Sequence, residues 1–114
     1  MDLLNILFAL TSIGFGAIGW LAPAYTMQTL DLHPGETTMG ASEVRASAGA
    51  LFVGMGAGAL MLGTPAAFSL LGFCWLGAAV GRATSLAVDG TTQKKWVFFA
   101  VEAAVGLGAV LYNI

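Results

Sequence analysis

Charge is what this sequence has least of. Only 9% of its residues are Asp, Glu, Lys or Arg, where a soluble domain carries about 25%, and 58% are apolar. Four basic and six acidic side chains cannot keep 114 residues dispersed in water. Cysteine is confined to Cys74, inside an apolar run, which excludes an intramolecular disulfide and a thiolate cluster within one chain. The single histidine, His33, stands beside Pro34 in a polar stretch and reads as a loop residue. Haem held by two histidines, or zinc held by several His or Cys ligands, is therefore excluded for one chain acting alone. A net charge of −2 offers no basic face, so nucleic acid is not an expected partner. No Ser-His-Asp set, phosphate loop or paired-histidine motif is present, and the methionines are too scattered for a thioether site. No metal, no cofactor and no enzymatic activity are expected.

What the sequence has in abundance is long apolar runs. A membrane-spanning helix needs about 20 mostly apolar residues, because the hydrocarbon core is about 30 Å thick and each residue rises about 1.5 Å. Four runs qualify, over about 3–22, 43–62, 65–88 and 96–112, joined by a polar loop at 23–42 and two short turns. The first run is not expected to be a cleaved signal, since Met1-Asp2-Leu3-Leu4 lacks a basic start. Pro23 ends it, Pro65 suits the first turn of the third run, and Asp89-Gly90 punctuates that run's end. Residues 24–32 could add a short interfacial helix, with Trp20 and Tyr25 at headgroup level. Short connections force neighbouring helices to be antiparallel. The expected fold is thus an all-α membrane protein, a single domain over 1–114 with four transmembrane helices in an up-down antiparallel bundle.

Sixteen glycines would weaken soluble helices, yet in lipid small residues let helix backbones approach closely. In the second span Ala46, Ala50, Gly54 and Gly58 recur every four residues, with Gly49 and Gly56 beside them. Gly77 and Gly81 repeat the spacing in the third span, Ala104 and Gly108 in the fourth, and Ser12 and Gly16 in the first. These stripes are read as helix-packing seams, or as a face that docks another membrane protein.

A charge at mid-bilayer costs at least about 2.5–3.5 kcal/mol, so the charged residues inside the spans carry the most information. Glu43 and Arg45 open the second helix, Arg82 and Asp89 close the third, and Glu102 lies about two turns inside the fourth. Tracing the spans back and forth puts all of them, with Lys94 and Lys95, on one side. The expected arrangement is an interhelical cluster of Glu43, Arg45, Arg82, Asp89 and Glu102, because a guanidinium fork pairs with carboxylates from two directions. Such a cluster either fixes helix order and depth or forms a ligand or proton site. Snorkelling to the interface is the simpler account of Arg45 and the lysines. By the positive-inside rule, that side is cytoplasmic and both termini lie outside.

Glu43-Val44-Arg45-Ala46 entering a glycine-rich helix, then Gly81-Arg82-Ala83-Thr84-Ser85 before Asp89-Gly90, then an acid in the last helix, resembles a family of small bacterial four-helix membrane proteins. That family is catalogued as a domain of unknown function. The resemblance covers essentially the whole chain and implies four helices in a bacterial inner membrane, with the five charged residues as the positions of interest. It supplies no activity. The small size, the missing soluble domain and the glycine faces point to an accessory or assembly subunit of a larger membrane complex, such as a respiratory or photosynthetic one. The alternative is a protein that binds or carries a lipid, a quinone or a proton through its Arg/Glu cluster. Outward-facing glycine stripes favour the first; stripes consumed internally, beside an open cavity at Glu102, favour the second.

Overall fold

The computed structural model describes residues 2–114, which contain four long helices, one short helix and no strand. Helix α1 spans Leu3–Leu21, α2 Pro23–Thr29, α3 Met39–Leu62, α4 Pro65–Val88 and α5 Gln93–Asn113. The four long ones are each long and apolar enough to cross a membrane, as the apolar runs require.

Helix ends follow local chemistry rather than hydropathy. The Asp2 carboxylate accepts from the Leu4 amide at 2.9 Å, the Thr64 hydroxyl from Ala67 at 3.2 Å and the Thr92 hydroxyl from Lys95 at 3.2 Å. Each satisfies an amide that an α-helix leaves unpaired at its start. The Thr92 cap explains why α5 begins at Gln93, ahead of the apolar run at 96. Helix α3 likewise begins at Met39, four residues before its expected start at 43. The 23–42 stretch is not wholly loop, since Pro23 starts a short helix whose fixed φ suits the first helical position. Gly63 ends α3 in the left-handed region, φ 66°, where a side chain would be strained.

The chain forms two compact units, Asp2–Met61 and Leu62–Ile114. In the first, α1 and α3 run antiparallel and meet backbone to backbone. A Cβ placed on Gly16 would lie 2.6 Å from the Gly49 carbonyl oxygen and from the Val53 nitrogen. One on Gly56 would lie 2.5 Å from the Ala9 oxygen, and one on Gly19 would collide with Ala48. The Ser12 hydroxyl, fully buried, donates to the Phe52 carbonyl at 2.8 Å and ties the helices together at mid-span.

Helix α3 is not a uniform α-helix. Ala46–Ala50 forms a π turn, in which each backbone bond spans five residues instead of four. The buried positions of α3 record it: Val44 and Gly49 are five apart, and Gly56 and Ala59 then follow at helical spacing. The extra residue breaks the stripe expected from a four-residue repeat. Ala46, Ala50 and Gly54 are exposed, and a Cβ on Gly54 or Gly58 would meet nothing within 4 Å. The seam runs instead through Gly49, against Gly16 and Gly19, and Gly56, against Ala9 and Ile13.

In the second unit α4 and α5 pack antiparallel along Phe68, Gly72, Trp75, Ala79 and Leu86, an alternation of threes and fours that holds one face inward. Gly72 lies against Val110 and Ala109, and Gly106 against Leu76, each leaving no room for a Cβ. Gly77 and Gly81 stand on the other side of α4, two residues from Ala79 in each direction and therefore about 200° around the helix. Both are exposed, with nothing within 4 Å of a Cβ. Within this unit the close α4–α5 approach is made at Gly72 and Gly106.

Candidate functional site

The inward face of α4 continues from Ala79 to Arg82, and that of α5 runs back from Gly106 to Glu102. Helical spacing alone therefore aims these two charges at each other. Arg82 Nε donates to Glu102 Oε1 at 3.1 Å and Nη2 donates to Oε2 at 3.1 Å, a two-pronged pair that occupies both carboxylate oxygens. The Glu102 side chain is 14% exposed and that of Arg82 is 32%. Phe98, one turn before Glu102 on α5, holds its ring 5.3 Å from the Arg82 guanidinium carbon. The arginine thus meets an anion and an aromatic face together, both of which favour its charge where water is scarce.

Of the other three expected members of the cluster, the two acids are each bonded one turn away on their own helix. Asp89 Oδ2 accepts from the Ser85 hydroxyl at 3.0 Å, one turn earlier on α4. Glu43 Oε1 accepts from the Ser47 hydroxyl at 2.7 Å, one turn later on α3. Arg45 does reach another helix, but its partner is not a carboxylate: Nη1 donates to the Trp20 carbonyl at 2.8 Å. Trp20 belongs to the last turn of α1, where carbonyls lack intrahelical donors and the helix dipole is negative. Glu43, Arg45 and Asp89 are all exposed. Within the second unit the structure therefore brings together Arg82 and Glu102, while Asp89, Glu43 and Arg45 have the partners just named. Lys95 closes the α4–α5 turn by donating from Nζ to the Gly90 carbonyl at 2.8 Å.

A groove of about 510 Å³ opens in the first unit beside Arg45, lined by Trp20, Thr38, Ser42, Ala46 and Ala50 among others. Sequence reasoning missed it, because the four-residue repeat puts Ala46 and Ala50 in the expected seam. The usable signal was Arg45 itself, a cation in an apolar helix with no acid three or four residues away. Among the described residues no group of three or more His, Cys, Asp or Glu is placed to hold a metal ion.

Compared with known families, residues 1–112 match the domain of unknown function DUF4345. The chain belongs to this family. No curated protein and no solved structure matches it. The match takes in all four long helices and so agrees with the resemblance read from the charged motifs. The family brings no activity with it, and function has to be argued from the geometry.

Proposed function

We propose that this protein is a multi-pass protein of the bacterial inner membrane that serves, without catalysing a reaction, as an accessory or assembly subunit of a larger membrane complex, such as a respiratory or photosynthetic one. One observation carries the proposal. Gly54 with Gly58 on α3, and Gly77 with Gly81 on α4, are spaced four apart on spanning helices, and none has an atom within 4 Å of where a Cβ would be. In lipid such pairs let another helix backbone approach closely, and that packing is the main source of helix association there. The Arg82–Glu102 pair supports the same reading over a lipid, quinone or proton carrier. Both oxygens of Glu102 are engaged by the arginine, leaving the carboxylate little capacity for cargo. The positive-inside rule, applied to Lys94, Lys95 and Arg45, favours a cytoplasmic side at the α4–α5 turn and termini on the opposite side.

The test is isolation of the tagged protein from its native membrane in a mild detergent, with mass spectrometry of everything that accompanies it. A larger complex in fixed stoichiometry is expected, and Gly77→Leu with Gly81→Leu should release it while leaving the chain folded. Recovery as a lone chain or small homo-oligomer overturns the proposal.

A further inference from the structure

The groove beside Arg45 has the chemistry of an anion site at the membrane surface. Its cationic wall is the Arg45 guanidinium, which gives one N–H to the Trp20 carbonyl and forms no ion pair among the described residues. A guanidinium carries five N–H donors in a planar fork, so most of its donor capacity is uncommitted. Glu43, the nearest acid in sequence, is two positions away on α3 and occupied with Ser47. Thr38 and Ser42, two turns and one turn before Arg45 on the same side of α3, also line the groove, and their hydroxyls have no hydrogen-bond partner among the described residues. Ala46, Ala50 and Trp20 line it as well.

Depth fixes what can enter. Helix α3 has 24 residues, or roughly 36 Å at 1.5 Å per residue, against about 30 Å of hydrocarbon. Arg45 is six residues from its first residue, so its long side chain reaches the headgroup layer, where Trp20 also belongs. A fork of donors, two hydroxyl-bearing residues and two alanines at that level match a phosphate oxygen cluster with an apolar tail beside it. The volume, about 510 Å³, exceeds what a phosphate needs and falls in the range of sites that take larger ligands.

We propose that this groove binds a phosphate group, specifically the phosphodiester of an anionic membrane lipid, with Arg45 donating to its oxygens, Ser42 and Thr38 completing the headgroup site, and the lipid's glycerol and first methylenes lying on Ala46 and Ala50. The site shares no residue with the Arg82–Glu102 pair and stands whether or not the subunit role does.

The experiment is native mass spectrometry of the full-length protein in mild detergent, titrated with phosphatidylglycerol and, separately, with phosphatidylcholine. Phosphatidylglycerol is expected to bind preferentially, and Arg45→Gln to weaken it about tenfold or more, the usual effect of losing a charge-assisted contact. Arg45 also caps α1, so a second variant guards against misfolding: Ala46→Leu fills the groove without touching the Arg45–Trp20 bond and should weaken binding as well. Lys95→Gln, which removes a cation elsewhere, should leave it unchanged. Adding millimolar inorganic phosphate distinguishes the sources. Retained lipid assigns the site to the headgroup, and displaced lipid assigns it to free phosphate, the same chemistry from solution. Equal phosphatidylglycerol binding by the wild type, Arg45→Gln and Ala46→Leu overturns the proposal, as does a Lys95→Gln loss as large as that of Arg45→Gln.

Discussion

Gly14 and Gly16 are two residues apart in the same regular helix, and the structure assigns them opposite responses to a single methyl group. A Cβ on Gly16 falls 2.6 Å from the Gly49 oxygen, 2.6 Å from the Val53 nitrogen and 2.9 Å from the Phe52 Cβ. Ordinary contact lies at about 3.5–4.0 Å, so α1 and α3 must part by roughly 1 Å to admit alanine. Two of the three obstacles are backbone atoms, which cannot swing aside. Overpacking of this kind costs about 1–3 kcal/mol. Parting the helices also stretches the Ser12–Phe52 hydrogen bond from 2.8 Å, a further loss of about 1 kcal/mol. Alanine's better helix propensity returns up to about 1 kcal/mol, leaving a net loss of about 1–3 kcal/mol for Gly16→Ala. At Gly14 a Cβ meets nothing within 4 Å, so only the propensity gain remains and Gly14→Ala should be neutral or stabilising by up to about 1 kcal/mol. Reversible unfolding of the two variants in mixed micelles, followed by far-ultraviolet circular dichroism, reads the difference directly. Equal stability of the two, or a larger loss at Gly14, would refute the backbone-to-backbone seam.

Two further outcomes follow from the same geometry. Arg82→Gln and Glu102→Gln should each destabilise the α4–α5 unit, while the double variant should be milder than their sum by about 1–2 kcal/mol, measured as a coupling energy in the same assay; strict additivity removes the pair. Deleting Ala46 should convert the π turn to ordinary helix while keeping Val44 and Gly49 on the seam, so the protein should still fold. Deleting Gly54 should instead swing Val44 and Gly49 about 100° away from the face held by Gly56 and Ala59, and lose the folded state on a melting curve.

The four spans were legible because hydrocarbon thickness and helical rise leave little freedom in their length. Their ends were less so. Thr92 and Thr37 accept amides at helix starts within polar sequence, where hydropathy falls silent but an amide still needs an acceptor. The ion pair was half legible: charge and depth singled out Arg82 and Glu102, while the phase of the packed faces, set by Trp75, Ala79 and Gly106, chose them over Asp89 and Glu43. Small residues at four-residue intervals did not reveal which glycines touch. That depends on helix phase, and the five-residue turn at Ala46–Ala50 changes the phase with no marker among Ala-Ser-Ala-Gly-Ala. A carbonyl partner such as that of Trp20 is equally invisible, because every residue has one.

The wide turn in α3 also decides where a positive charge comes to rest. In an unbroken α-helix Arg45 would stack directly over Gly49, and its guanidinium would be driven between two backbones with no room for it and no water. With one residue more in the turn, Val44 takes that place and Arg45 is carried to the rim. The helix thus keeps a permanent cation close to its tightest contact and still lets it face the outside. An insertion that looks like a flaw in the helix is what allows dense packing and an accessible charge to share five residues of sequence, Arg45 to Gly49.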